Sequence, residues 1–267
     1  MNNWPEKKIN TWNDFINIIH SLNLETDYLS HWAFRGQPNS EWTLKPGLAR
    51  ILSKYKIQHL QGIKVETTLI REFESNYLHF NEVSIPNYKQ NRELVYMSQL
   101  QHYGCPTRFL DWTESPYVAM YFAVSTDFEN DSALFLFNQS ILSERNNQIN
   151  VRDQGYLTIQ EESSHIQTVQ VLANTLRSRA QQGIYTIAAN CDKDHYHLIL
   201  NPLKELIIND KAPLLKLVIP KELKLEFLAR LRKMNIKSDQ LFPDIFGFAK
   251  SLKDLIEIRC NENTLKI

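Results

Sequence analysis

Arg108-Phe109-Leu110-Asp111-Trp112-Thr113-Glu114-Ser115-Pro116, running on into Tyr117 to Val124, is the stretch that decides the fold. Phe109-Leu110-Asp111 is short and apolar, as a strand would be. Ser115 offers an N-cap hydroxyl and Pro116 a fixed φ suited to the first helical position, so a helix is expected from Tyr117 to Val124. The implied order is strand, tight turn, helix. Upstream, His31-Trp32-Ala33-Phe34-Arg35-Gly36-Gln37 reads as a buried, aromatic-rich strand with Arg35 at its end, followed by a Pro- and Gly-punctuated loop over 37–47. Apolar residues recur at helical spacing over 11–22, where Thr11 is the expected N-cap, over 65–80, and over 92–103, where Gly104 is the expected C-cap.

Downstream, strands are expected over 133–137, 184–188, 197–200 and 214–219, and helices over 170–180, 221–234 and 243–256. The polar stretch 138–164 reads as a surface excursion. Strands and helices interleave too irregularly for a doubly wound count, so the expected class is α+β, a central mixed sheet with flanking helices. With no repeat or linker, one domain is expected over 1–267, as an N-terminal helical segment 1–29 and a motif-bearing core 30–250.

Composition narrows the function classes. Thirty Lys and Arg balance thirty Asp and Glu, so the chain lacks the overall field of a general nucleic-acid binder. Only a local patch, Lys221, Lys224, Arg230, Arg232 and Lys233 on the expected 221–234 helix, suggests weak nucleic-acid contact. No apolar run is long enough to span a membrane and no signal peptide is recognisable, so the expectation is a cytoplasmic protein without membrane contact. Three widely spaced cysteines, Cys105, Cys191 and Cys260, fit a reducing compartment and form no zinc or redox motif. No phosphate loop, dinucleotide fingerprint, zincin or serine-hydrolase motif occurs, and no metal is expected.

Two stretches are denser in unusual residues than a scaffold needs: Trp32 to Gln37, and Gln101-His102-Tyr103-Gly104-Cys105-Pro106-Thr107-Arg108-Phe109-Leu110-Asp111-Trp112-Thr113. They resemble the FRG family, which takes its name from the Phe-Arg-Gly tripeptide and shares the pattern QHYG-x-PTR-x-LDWT-x-SP leading into an Ala-x-Tyr-Phe-Ala helix. The likeness extends to Arg179-Ala180-Gln181-Gln182-Gly183-Ile184-Tyr185-Thr186, to Ile219-Pro220 and to Leu241-Phe242-Pro243-Asp244. Phe109 and Phe246 stand where leucine is usual. A looser resemblance is to ADP-ribosyltransferases, which also place an arginine at the end of an early strand, then hydroxyl residues before a helix, then a late Glu or Gln. That resemblance implies an NAD-binding enzyme, a transferase or glycohydrolase and in some settings a toxin or antiphage effector, with Arg35, Thr113 and Gln182 as the catalytic set. Gln181 and Asp244 are alternatives for the third position, since the usual glutamate is not evident.

The chemistry gives each type a reason. A planar guanidinium such as Arg35 grips a pyrophosphate at two points. The hydroxyls of Thr113 or Ser115 can orient a ribose, the amides of Gln37 and Gln101 can hydrogen-bond the ligand, and Tyr103, Trp112 or Tyr121 can stack on a flat ring. Asp111 can instead lock Arg35 or Arg108. Structural roles compete with these: Arg35 paired to Asp111 or Asp244, Arg108 as scaffold, Trp112 as core, Ser115 as a simple N-cap, His195 and His197 on a solvated strand face, and Cys105 as an inert thiol beside His102. The non-enzymatic alternatives are a nucleotide or nucleic-acid recognition module and a protein-interaction domain.

Overall fold

The computed structural model describes residues 3–25, 32–80, 92–146, 164–170, 175–207 and 212–261. Among these, seven strands form one mixed sheet: β1 (Glu6–Lys8), β2 (Trp32–Gln37), β3 (Phe109–Thr113), β4 (Ser132–Asn138), β5 (Ile166–Val169), β6 (Gly183–Ala188) and β7 (Leu214–Ile219). Their spatial order is β1-β7-β4-β2-β3-β6-β5. Only β1 and β7 run parallel; the other neighbours are antiparallel. Helices flank this sheet, so the class is α+β.

One junction in the sheet is weak. β2 pairs with β4 from Trp32↔Asn138 to Gln37↔Ala133, and β3 with β6 from Phe109↔Ile187 to Thr113↔Gly183, but β2 and β3 meet only at Phe34↔Thr113. The sheet is therefore two halves joined at a point. Residues directly opposite in an antiparallel ladder share a face. Phe34, Thr113, Asp111, Phe109, Tyr185 and Ile187 thus lie on one side, with Ala33, Leu110 and Trp112 on the other.

Each half carries its own helices on that first side. Phe34, Leu134, Leu136 and Leu217 pack with residues of α1 (Trp12–Glu25), α5 (Pro116–Val124), α9 (Lys224–Lys233) and α11 (Ile245–Asn261). Phe109 and Ile187 pack instead with Ile70 of α3 (His59–Asn76) and with Tyr96 and Met97 of α4 (Arg92–His102). On the second side, Ala33, Phe135, Phe137, Leu110 and Trp112 form a core with α6 (Gln139–Asn146) and α8 (His195–Leu203). Gly36 lets α5 settle onto β2: a Cβ there would lie 1.9 Å from the Ala119 carbonyl oxygen and 2.5 Å from the Ala123 nitrogen.

The local signals behave as their chemistry demands. Ser115 Oγ accepts from the Val118 N–H at 3.3 Å, with Pro116 opening α5. Thr11 Oγ1 accepts from the Asp14 N–H while Asp14 Oδ2 accepts from the Thr11 N–H, a reciprocal cap on α1. Gly104 ends α4 at φ +89°. Three expectations need correction. His195 and His197 are not on a strand: Asp194 Oδ1 accepts from the Tyr196 N–H and starts α8, whose buried Ile199, Leu200 and Leu203 keep helical spacing. Of the expected 170–180 helix the described residues form α7 (Leu176–Ala180), while residues 170 and 175 are not helical and 171–174 lie outside the described residues. The excursion 138–164 begins as helix α6, and 147–163 lie outside the described residues. Neither α2 (Gly47–Lys54) nor the exposed strand β1 has a clear counterpart in the sequence pattern.

Among the described residues no helix is long and apolar enough to cross a membrane. None of their His, Cys, Asp and Glu groups is arranged to hold a metal ion.

Candidate functional site

A cavity of about 370 Å³ opens where β2 and β3 part. Phe34, Gly36, Asp111, Thr113 and Tyr185 form its floor on the first side of the sheet. Gln101 and His102 reach it from the end of α4, Phe122 and Ser125 from the end of α5, Arg177 and Ser178 from α7, and Lys250 from α11. Its rim includes Pro38 and Thr126. Lys224 fixes that rim from beneath: fully buried, its Nζ donates to the carbonyls of Pro38 at 2.6 Å, Asp127 at 2.5 Å and Thr126 at 3.5 Å.

Arg35 alternates away from Phe34 and Gly36, yet lines the cavity because the strands have separated beside it. Its Nη1 donates to the Asp111 carbonyl at 2.6 Å, bridging the gap, and lies 4.0 Å from Asp111 Oδ2. The side chain keeps 20% exposure, while Nε is buried without a hydrogen-bond partner. Desolvation lowers its pKa from the ordinary value and Arg50 adds to this, against Asp111.

The long central motif builds a chain of hydrogen bonds. Thr107 Oγ1 accepts from the Phe109 N–H at 3.1 Å and donates to Gln101 Oε1; Gln101 Nε2 in turn donates to Asp111 Oδ1 at 2.7 Å. Asp111 is thereby oriented although its side chain is 64% exposed. Arg108 is scaffold. Fully buried, it makes a forked ion pair with Glu66 of α3 and donates to the carbonyls of Ala188 and Ala189. Thr113 lines the cavity, but its hydroxyl is engaged twice, donating to the Gln181 carbonyl at 2.6 Å and accepting from the Ser115 N–H at 3.0 Å.

Of the residues expected at a single site, Arg35, Gln101, Asp111, Trp112 and Thr113 line the cavity. The Trp112 ring, however, packs edge-on against Phe137 on the other side of the sheet, with Nε1 donating to Thr186 Oγ1 at 2.9 Å. Tyr103 is half-exposed and borders a separate apolar pocket with Phe73, Tyr77 and Phe80. Tyr121 is buried, its hydroxyl donating to Asp254 Oδ2 at 2.8 Å. Gln37 is buried and donates to the Thr43 carbonyl at 3.2 Å, and Ser115 acts as the N-cap. Gln182 is exposed in a left-handed turn at φ +48°, outside the lining. Gln181 lines the cavity instead, with Nε2 donating to the Leu241 carbonyl at 3.0 Å. Asp244 caps α11 through the Gly247 N–H at 2.7 Å.

The basic patch on α9 does not present five cations. Lys224 is internal, Arg232 donates to Ser251 of α11 at 2.9 and 3.0 Å, and Arg230 pairs with Glu226 at 2.8 Å. Helical periodicity turns the first two residues inward and leaves Lys221 and Lys233 exposed.

Tyr185, Phe122, Arg177 and Lys250 are lining residues that the sequence reading did not single out. Tyr185 was legible, since strand alternation puts it on the same face as Gly183 and Ile187; in the structure it stacks on Phe109 at 4.7 Å. Lys250 was not, because its place depends on how α11 docks.

His195 lies behind this site. Thr186 Oγ1 accepts from Trp112 Nε1 at 2.9 Å and shares a 2.8 Å hydrogen bond with His195 Nδ1. Burial, then the charges of Arg35 and Arg108, push the His195 pKa down to about 3. An unfolded histidine titrates near ~6.5. As pH falls through that value toward 3, the unfolded chain takes up a proton the folded chain refuses, so stability should fall by about 1.4 kcal/mol per pH unit from this residue. Urea midpoints from pH 7 to pH 4 should drop less steeply in His195→Gln than in the parent; equal slopes would contradict the lowered pKa.

The family comparison agrees with the motif geometry. Residues 30–132 match the family model of the FRG domain, a span that contains Arg35, Gln101, Asp111 and Thr113 and excludes Arg177, Gln181, Tyr185 and Lys250. Comparison with curated proteins and with solved structures gave no match. The cleft between the sheet halves thus takes its Phe-Arg-Gly strand and its Gln101 to Thr113 segment from the span, residues 30–132, that is similar to the FRG domain.

Proposed function

We propose that the cavity at the sheet split binds NAD and that the protein is an ADP-ribosyltransferase-like or NAD-cleaving enzyme. The observation that supports this most is Arg35, held across the gap by a β3 carbonyl with a fifth of its side chain open, in a cavity whose described lining holds more cations than carboxylates. A guanidinium in that position grips a pyrophosphate, and Tyr185 and Phe122 offer rings to a flat base. Breaking the nicotinamide bond builds positive charge on the ribose, which favours a nearby carboxylate. Asp111 is the one carboxylate among the described lining residues, so that role falls to it in place of Gln182. An intracellular setting, as for a toxin or antiphage effector, suits the three free cysteines.

A second reading, nucleotide binding without turnover, draws support from the same Asp111: it is largely exposed and already hydrogen-bonded to Gln101, less suited to charge stabilisation than a buried carboxylate. NAD should raise the melting temperature under either reading, because a ligand that binds only the native state stabilises it. Nicotinamide release separates them. Release that disappears in Asp111→Asn supports the enzyme; stabilisation without release supports the binding module; neither effect removes NAD from the account.

A further inference from the structure

We infer that the cavity recognises its ligand as a diphosphate, held between Arg35 on the sheet and a second cationic pair, Arg177 of α7 and Lys250 of α11. The inference rests on the nucleotide reading for the identity of the ligand and adds to it which groups select that ligand's phosphates. Both residues lie outside the family-matched span.

The argument begins with unbalanced charge. Arg35, Arg177 and Lys250 line one cavity whose described residues include a single carboxylate, Asp111. That carboxylate is 4.0 Å from Arg35, at the limit of an ion pair, and its Oδ1 already accepts from Gln101. Neither Arg177 nor Lys250 forms a direct ion pair with a described residue: the Arg177 Cζ lies 4.5 Å from the centre of the Phe242 ring, and Lys250 Nζ donates to Tyr121 Oη at 3.0 Å and Ser125 Oγ at 3.4 Å, the Tyr121 hydroxyl donating in turn to Asp254, whose buried carboxylate acts on Lys250 from behind the cavity. Partly buried cations are ordinarily matched by anions, since desolvation and mutual repulsion otherwise act against the folded state. Asp111 partly offsets Arg35 and Asp254 partly offsets Lys250, while Arg177 has no carboxylate partner among the described residues, so the cluster keeps a positive excess that an anion from outside the chain would offset.

The same contacts show how these cations are aimed. Lys250 Nζ sits 4.8 Å from the Tyr121 ring centre and 5.8 Å from that of Phe242, so one phenylalanine ring backs both Lys250 and Arg177. Two of the three ammonium protons are used on Tyr121 and Ser125, which leaves one for a ligand. Arg35 approaches from the sheet, tied to the Asp111 carbonyl. Two bridged phosphates offer more acceptor oxygens to these converging donors than one phosphate does, and the charge of a diphosphate matches three cations better. Burial also lowers the Lys250 pKa from its ordinary value, a shift that a bound anion would reverse.

The test is a calorimetric titration of inorganic phosphate, inorganic pyrophosphate, AMP, ADP and NAD into the full chain and into Arg177→Gln and Lys250→Met, with Arg177→Lys and Lys250→Arg as charge-preserving controls. Pyrophosphate and ADP should bind the parent about tenfold or more tightly than phosphate and AMP. Each neutral variant should lose about tenfold in ADP and pyrophosphate affinity and less for AMP, while the charge-preserving variants recover most of it. Equal binding of ADP by the parent and both neutral variants, or no preference for two phosphates over one, overturns the inference. If a neutral variant does not fold, its charge-preserving counterpart and the parent's ligand preference still decide the matter. Expected ADP and pyrophosphate binding without nicotinamide release would retain the diphosphate site and remove the enzymatic reading; NAD cleavage undisturbed in both neutral variants would do the reverse.

Discussion

Replacing Arg108 by alanine is expected to cost about 3–5 kcal/mol of stability, the range seen when one partner of a buried ion pair is removed. Its guanidinium is fully buried, with Nε 3.0 and 2.8 Å from the two Glu66 oxygens and Nη1 2.8 Å from the Ala189 carbonyl. The substitution leaves the Glu66 carboxylate, 2% exposed, without its counter-ion and strips donors from the end of β6. It also unties α3 from the half of the sheet that carries Asp111. Urea denaturation measures the loss. The double variant Arg108→Met, Glu66→Met, which removes both charges, should lose less than Arg108→Ala alone; a single-variant loss below about 1 kcal/mol would show the pair to be dispensable.

Gly36→Ala is the second large effect expected. The new Cβ would overlap the Ala119 carbonyl oxygen at 1.9 Å and the Ala119 carbonyl carbon at 2.9 Å, and backbone in the middle of a buried helix cannot swing aside as a side-chain tip can. Overpacking of a core costs about 1–3 kcal/mol and sometimes more, and this contact belongs at the upper end. Because α5 must lift from β2, the walls at Phe122 and Ser125 should shift relative to Arg35. Ligand affinity should fall along with the denaturation midpoint. A variant with the parent's midpoint would mean that α5 does not pack as closely as described. The tripeptide thus has three separate duties: Phe34 in the core, Arg35 in the cleft, and Gly36 beneath the helix.

What could be read from the sequence was mostly local. Ser115 and Pro116 cap α5, Gly104 ends α4, and Trp32 to Gln37 form a strand, because each depends on a few neighbouring atoms. The α8 segment was misread because His195-x-His197 imitates strand alternation, while the decisive group, the Asp194 cap, stood one residue earlier. Strand alternation also explains the stacking residues: with Asp111 and Thr113 facing the cavity, the Trp112 ring had to face the other core. Arg177 and Lys250 carried no local signal. Their convergence requires α11 to dock through Arg232 to Ser251 and Tyr121 to Asp254, contacts between residues 19 and 133 positions apart.

Arg35 at the split between the sheet halves is the centre of the account, and titrating NAD calorimetrically into the parent and into Arg35→Lys tests it most directly. The lysine variant keeps the charge and loses the planar two-point grip, so NAD should bind the parent and bind Arg35→Lys about tenfold or more weakly, at a nearly unchanged melting temperature. Equal affinity in the two proteins, or no binding by a folded parent, would contradict the claim that this cleft is an NAD site organised by Arg35.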